Sequence, residues 1–286
     1  MKILVIGGNG FIGQKVSKTL SENGHKVTIF DKKKNKTILN KIRYSTGDVR
    51  NIKLLKKTIK GQDIVFNFAA LADIDIAKSK PSETIILNIL AVSNILKICV
   101  SQKIKRFIQA SSIYSLSEEG GFYARSKRAA EDYIVEFKKS YNINYTILRF
   151  GSLYGLGADK NNGINKILLY AKKNKKIVYR GSKKATRRYI NVDDAAKLCL
   201  KILSKNYENK IINITGKKVI KIRDIINFVS RKFLIKNKDI LYKNEKNTGH
   251  YINQPTILKK RPYKNLYVKN EKNIFYELNN LINGRN

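Results

Sequence analysis

Along the first 150 residues, short aliphatic runs of strand length alternate with stretches whose apolar positions recur at helical spacing. Lys2 to Ile6 is the first such run and stops at glycines; Phe11 to Leu20 follows with an apolar stripe on one side. Val27 to Phe30 and the weaker Ile42 to Ser45 predict two more strands, and Leu54 to Ile59 predicts a helix. Ile64 to Phe68 reads as a central strand. A helix is expected over about Ser82 to Val100, with strands at Phe107 to Ala110 and Tyr145 to Phe150 and a helix between them from Tyr123 to Tyr141. Strands separated by helices predict a parallel sheet covered on both faces.

After Phe150 the alternation loosens. Gly151 to Gly163 reads as loop, Ile164 to Lys173 as helix, and Ile177 to Tyr179 and Tyr189 to Val192 as short strands. Asp193 to Leu203 predicts a helix with an acidic start, Ile211 to Thr215 a strand, and Ile222 to Phe233 a helix. Residues 235–286 are polar and give no usable period. The pattern predicts an α/β fold: a doubly wound parallel sheet from residues 1–150 and a smaller, loop-rich lobe from residues 151–286. The strand near 211–215 is placed to return to the main sheet.

Composition supports one large domain or two that share an interface. With 286 residues, 42% of them hydrophobic, the chain can bury a core without disulfide staples. Cys99 and Cys199 both fall in predicted amphipathic helices and read as core. The N-terminal apolar run is too short and too soon broken by glycine for a signal peptide. No window approaches ~18 consecutive apolar residues, so no membrane span is expected and the chain reads as cytoplasmic. Lys and Arg number 59 against 21 Asp and Glu, a formal charge of +38. The basic residues are spread over the whole length, which argues for a solvated surface over a nucleic-acid site.

Chemistry begins at the first glycine turn. Gly7, Gly10 and Gly13 satisfy GxxGxxG between the first strand and the first helix, with Phe11 and Ile12 at the helix start. Such glycines let the backbone turn tightly and approach a pyrophosphate at the helix N-terminus, the fingerprint of a Rossmann-type dinucleotide site. Asp31 ends the second strand, where a carboxylate accepts from ribose hydroxyls and repels a 2′-phosphate, favouring NAD over NADP. Lys32 to Lys34, directly after it, soften that choice. Asp48 and Val49 follow the third strand, and Ala69, Ala70 and Leu71 the fourth, at the strand ends where doubly wound sheets hold ligands.

Tyr123 and Lys127 stand one turn apart at the start of a predicted helix. A lysine ammonium there lowers the cost of a phenolate, so the tyrosine can act as acid and base, and it can also hold a nicotinamide ribose. Ser112, at a predicted strand end, is placed to bond both the tyrosine and a reacting hydroxyl. No Cys/His spacing suggests a metal site.

These residues together resemble the extended short-chain dehydrogenase/reductase superfamily, and within it the NAD-dependent sugar-nucleotide epimerase/dehydratase family. The resemblance runs to about Gly216 and is carried by GGNGFIG, Asp31, GDV, NFAALA, NILAVSNIL, the serines before the tyrosine, YARSK, LRFGSLYG and RRYINVDDAA. It implies NAD as cofactor, Tyr123 as acid/base, Lys127 as its assistant and Ser112 as the group that orients the substrate. It also implies Asn88 near the nicotinamide, and Arg188 on the diphosphate of a nucleoside-diphosphate (NDP) sugar.

The departures are informative. Counting from Phe107 gives Ser112 as the catalytic hydroxyl, whereas counting back from Tyr114 gives Ala110. Dehydratases of this family carry Asp-Glu directly after the hydroxyl residue. Here Ile113 and Tyr114 hold those places, which disfavours dehydration unless Glu118 or Glu119 substitutes. Ser152 stands where an Asn is usual, and His250 is a candidate for the substrate pocket. The resemblance implies an epimerase that transiently oxidises C4, with a 4-dehydrogenase or 4-ketoreductase as alternatives and a 4,6-dehydratase behind them. A nucleotide-sensing or nucleic-acid-binding protein is the non-enzymatic alternative. Relatives often dimerise through two helices, here Ser82 to Val100 and Tyr123 to Tyr141.

Overall fold

Each aliphatic run of the first half folds as a strand, and the helical stretches between them cross back over the sheet. The computed structural model describes residues 1–33, 41–243, 250 and 262–284. β1 (Lys2–Ile6) leads into α1 (Phe11–Glu22), then β2 (Lys26–Asp31), β3 (Arg43–Thr46), α2 (Ile52–Ile59) and β4 (Ile64–Asn67). A short α3 (Ile74–Ser79) precedes a continuous helix made of α4 (Pro81–Ile85), a π-turn (Ile86–Leu90) and α5 (Ala91–Ser101). β5 (Arg106–Ser112), α6 (Gly121–Tyr141) and β6 (Tyr145–Phe150) follow. The second half comprises β7 (Ser152–Tyr154), α7 (Gly163–Asn174), β8 (Ile177–Arg180), β9 (Thr186–Arg187), β10 (Tyr189–Asn191) and α8 (Val192–Lys201). It continues with β11 (Lys210–Ile214), β12 (Ile220–Lys221), α9 (Ile222–Phe233), β13 (Ile240–Lys243), β14 (Lys264–Leu266) and α10 (Ile274–Asn283).

The main sheet has eight parallel strands in the order β14-β11-β6-β5-β4-β1-β2-β3. Chain order reverses between β1 and β4, which opens a crevice at their C-terminal ends. Successive residues of β1 feed opposite faces, as strand geometry requires. Ile3 and Val5 join Val16, Leu20, Ala195, Leu198 and Cys199 under α1 and α8, whereas Leu4 and Ile6 join Leu55, Ile95, Cys99, Ile134 and Phe137 under α2, α5 and α6. Both cysteines are free and fully buried, as their helical phase predicts.

The second half does not stay apart from the first. β11 pairs with β6 and β14 with β11, and α8 packs in the same layer as α1. Arg106, at the start of β5, donates to the carbonyls of Ile202, Leu203 and Ser204 and pairs with Glu208 at 3.1 Å, closing the C-terminal end of α8. The lobe has its own core, where Ile164, Ile167 and Leu168 of α7 meet Ile225, Ile226 and Val229 of α9 and Leu278 of α10.

Three features depart from the sequence expectations. The glycine-rich stretch after Phe150 contains β7, which pairs in parallel with β10 through Ser152 and Tyr189. β13, β14 and α10 form in the stretch that lacked a period, each supported by tertiary pairing or packing. An 18-residue window of the helix Pro81–Ser101 has a mean hydropathy of 1.9, so this helix is long and apolar enough to cross a membrane by length and composition. It reaches that value with polar residues interleaved, and 44% of the stretch is buried within the fold.

Candidate active site

The crevice beside β1 is shaped for a dinucleotide. Gly7 has φ +75°, and a Cβ there would stand 2.5 Å from the backbone nitrogen of Ala69. A Cβ on Gly13 would run into the Gly7 carbonyl, so α1 sits hard against the turn. The N-cap of α1 is Gly10, with no side chain bonded to the first amides. Those amides, with Phe11 and Ile12 in the first turn, fit a pyrophosphate. Asp31 accepts from the backbone nitrogens of Asn9 at 2.9 Å and Lys33 at 3.0 Å, tying the glycine turn to the end of β2. Lys34 lies outside the described residues.

The remaining cofactor-side candidates ring the same crevice. Asp48 is gripped by Arg50, whose Nε and Nη2 donate at 2.9 and 2.7 Å and hold the carboxyl down to about 2. Val49 and Ala69 pack against the core under α2. Ala70 and Leu71 continue the loop after β4. Asn88, in the π-turn, is 1% exposed; its Oδ1 accepts from Leu71 N at 2.8 Å, and its Nδ2 donates to Leu71 O at 3.0 Å and Ser126 Oγ at 2.9 Å. It therefore fastens the loop over the crevice to α6, and the π-turn aims it there.

Tyr123 and Lys127 lie on the buried side of α6, 9% and 4% exposed. β5 runs two residues further than its hydrophobic pattern suggests, and this carries Ser112 to the sheet end, where its hydroxyl accepts from the Tyr114 amide at 3.2 Å and favours the ionised form of Tyr123. Of the two countings, Ser112 is the one whose side chain acts on Tyr123. Ala110 has another part: its carbonyl accepts from Lys127 Nζ at 3.1 Å. The ammonium stands 5.8 Å from the Tyr123 ring centre. Burial pushes the Tyr123 phenol up and the Ser112 bond opposes it. Burial also depresses Lys127 to about 8, against the pull of Glu131.

Sequence reasoning passed over Glu131, although it continues the Tyr123–Lys127 face by one more turn. It is fully buried and ion-paired with Arg149, which interrupts an otherwise uncharged strand. A charged residue inside a buried strand was the available signal.

On the substrate side, Tyr114 packs edge-on against Tyr123 with ring centres 6.4 Å apart, and its hydroxyl meets His250 Nδ1 at 2.8 Å. His250 thus reaches Tyr114, beside Tyr123, from the far end of the sequence. The Arg188 guanidinium donates to the carbonyls of Gly216 and Lys217 beyond β11. The neighbouring Arg187 is 7% exposed and acts electrostatically on both His250 and Tyr179. Ser152 opens β7, and its amide donates to the Arg188 carbonyl at 3.1 Å.

Among the described residues, no group of three or more His, Cys, Asp or Glu stands together as a metal site. Ile113 is buried and apolar, and neither it nor Tyr114 is a carboxylate. Glu118 is exposed and paired with Arg125 at 2.6 Å and Arg128 at 3.7 Å.

Comparison with known proteins agrees with this geometry. The profile of the NAD dependent epimerase/dehydratase family matches residues 3–215, and the chain belongs to that family. A provisionally assigned UDP-glucose 4-epimerase of Methanocaldococcus jannaschii is 31% identical over 237 residues, covering 75% of this chain and 77% of the relative. The human dTDP-D-glucose 4,6-dehydratase is 28% identical over 240 residues, covering 74% and 68%. Among solved structures, a UDP-N-acetylglucosamine 4-epimerase of Methanobrevibacter ruminantium, in complex with UDP-N-acetylmuramic acid, superposes with a TM-score of 0.78 at 26% identity. That match covers 89% of this chain and 88% of the other.

Proposed function

We propose that this member of the NAD-dependent epimerase/dehydratase family is a sugar-nucleotide 4-epimerase. The observation that carries the reading is the buried Tyr123–Ser112–Lys127 cluster, followed by Ile113 and Tyr114 and not by a pair of carboxylates. The nicotinamide, when bound, accepts hydride from C4 and later returns it. Tyr123 takes the proton of the C4 hydroxyl, and Ser112 holds the oxygen through the change to a ketone. Lys127 steadies the negative charge on the phenol. With no carboxylate at residues 113 and 114 to take a neighbouring proton, the ketone keeps its C–H bonds and turns over in place; hydride return to its other face inverts C4 while Tyr123 reprotonates the oxygen. Names of relatives support the sugar-nucleotide class and include both 4-epimerases and a dehydratase.

The test is to denature the purified protein, identify the released nucleotide by mass spectrometry, and follow C4 of added sugar nucleotides by NMR. Released NAD and an inverted C4 without added cofactor are expected. Loss of the C6 hydroxyl, or turnover only with added NADH or NADPH, would sink the epimerase and leave the dehydratase or reductase.

The substrate diphosphate belongs at Arg187 on this reading, because Arg187 acts electrostatically on His250, whose ring meets Tyr114. Arg187→Ala is expected to raise KM about 10- to 100-fold, the worth of a charge-assisted hydrogen bond, with a far smaller effect of Arg188→Ala on KM. Steady-state kinetics on both variants decide it; the reverse order returns the role to Arg188.

A homodimer is part of the same proposal. Ile85, Ile86 and Leu90 on the long helix and Tyr133 on α6 are 55%, 39%, 52% and 50% exposed. These two adjacent helices offer an apolar face suited to the same face of a second copy. Leu90→Asp is expected to halve the mass seen by light scattering; a monomeric wild type would remove the proposal.

A further inference from the structure

Beneath the reacting residues lies an ion pair that the proposed reaction does not use. Glu131 and Arg149 have side chains only 1% and 2% exposed. Glu131 Oε1 accepts from Ser111 Oγ at 2.5 Å, Ser115 Oγ at 2.8 Å and Arg149 Nε at 2.9 Å, while Oε2 accepts from Arg149 Nη2. One carboxylate therefore gathers α6, the end of β5, the turn after it and β6.

Stability is a poor reason for such a pair. Taking two charges out of water cancels most of their attraction, and apolar side chains of similar volume commonly do as well or better. Arg149 Nη1 also lacks a hydrogen-bond partner among the described residues. What the pair supplies is position. Three successive residues of β5 act on α6: the Ala110 carbonyl accepts from Lys127 Nζ, the Ser111 hydroxyl donates to Glu131, and the Ser112 hydroxyl favours the ionised form of Tyr123. Ser115 anchors the turn whose Tyr114 amide donates to Ser112 Oγ at 3.2 Å.

We infer that Glu131 is a positioning residue, which with Arg149 locks the end of β5 onto α6 so that Ser112 and Lys127 stand correctly at the Tyr123 hydroxyl. The inference rests on the hydride-transfer reading for its effect on turnover. Glu131 also acts as a charge: it opposes the burial that depresses Lys127. Lys127 is flanked by Tyr123 and Glu131 on its own helix and by the Ala110 carbonyl and Ser112 on β5, with Arg149 behind Glu131.

Two variants of the full chain, purified with its cofactor, test this. Glu131→Met/Arg149→Met removes both charges together. It is expected to melt no lower than wild type and keep its NAD, yet lose about 10- to 100-fold in kcat, the cost of a small misplacement of reacting groups. Glu131→Gln keeps the shape and removes the charge. Lysine-labelled protein, with Lys127 assigned through Lys127→Arg, is expected to show a midpoint near 8 in the wild type and a lower one in Glu131→Gln. Wild-type kcat in the double variant, or an unmoved Lys127 midpoint in Glu131→Gln, overturns the inference. If the wild type turns over no sugar nucleotide, the function reading fails alone, because the Lys127 titration still decides the part played by Glu131.

Discussion

Tyr123→Phe is expected to lower kcat by about 10²- to 10⁴-fold, the usual worth of a positioned acid/base, while leaving fold and NAD content unchanged. The variant loses one hydroxyl, and the ring that packs beside Tyr114 stays. Steady-state kinetics on one sugar nucleotide, with circular dichroism and released NAD as controls, check it. A loss of less than about threefold would move the proton-transfer role elsewhere. The pH profile carries a matching sign. Lys127 supports the phenolate only as an ammonium, and burial holds it to about 8. Activity is therefore expected to fall as pH rises through that value, because the charged form is the one lost. A profile flat from about pH 7 to 10 would show that the lysine charge is not required.

The second large effect is on the cofactor. Gly13→Val is expected to yield protein without bound NAD, because its Cβ meets the Gly7 carbonyl and stands 2.8 Å from Gly8 Cα. Backbone cannot yield there without moving the turn that holds the pyrophosphate. Losing a ligand present at about 100 times its Kd also removes about 2.7 kcal/mol of stability, so the melting temperature should fall with the NAD content. Gly61→Ala is the control. Gly61 has φ +77° but nothing within 4 Å of its Cβ, so that variant suffers backbone strain and keeps its cofactor. Wild-type NAD content in Gly13→Val would show that the turn is not the pyrophosphate cradle.

Much of the site was legible because it is local. The glycine turn, Asp31, and Tyr123 with Lys127 are each set by spacing within one strand, one turn or one helix, and the fold leaves them where that spacing puts them. Ser112 was legible only as one of two countings, since the choice depends on where β5 ends against α6. Arg187 and Arg188 show the limit plainly. Adjacent residues on an extended segment point to opposite sides, and motif resemblance alone does not say which side faces the tyrosines. The resemblance implies Asn88 near the nicotinamide; what the motif does not tell is that its bonds to the Leu71 backbone and Ser126 also hold the loop after β4.

The sequence by itself determined the alternation of strand and helix, the parallel sheet that follows from it, the dinucleotide turn and the tyrosine–lysine pair. All of these rest on periodicity and on backbone rules that act over a few residues. Tertiary structure alone decided the rest. It added β14 to the edge of the main sheet beside β11 and buried Glu131 with Arg149. It also brought His250 to Tyr114, 136 positions apart in sequence. Those outcomes depend on contacts between distant segments, whose burial and hydrogen bonds outweigh weak local preference and leave no period in the chain to read.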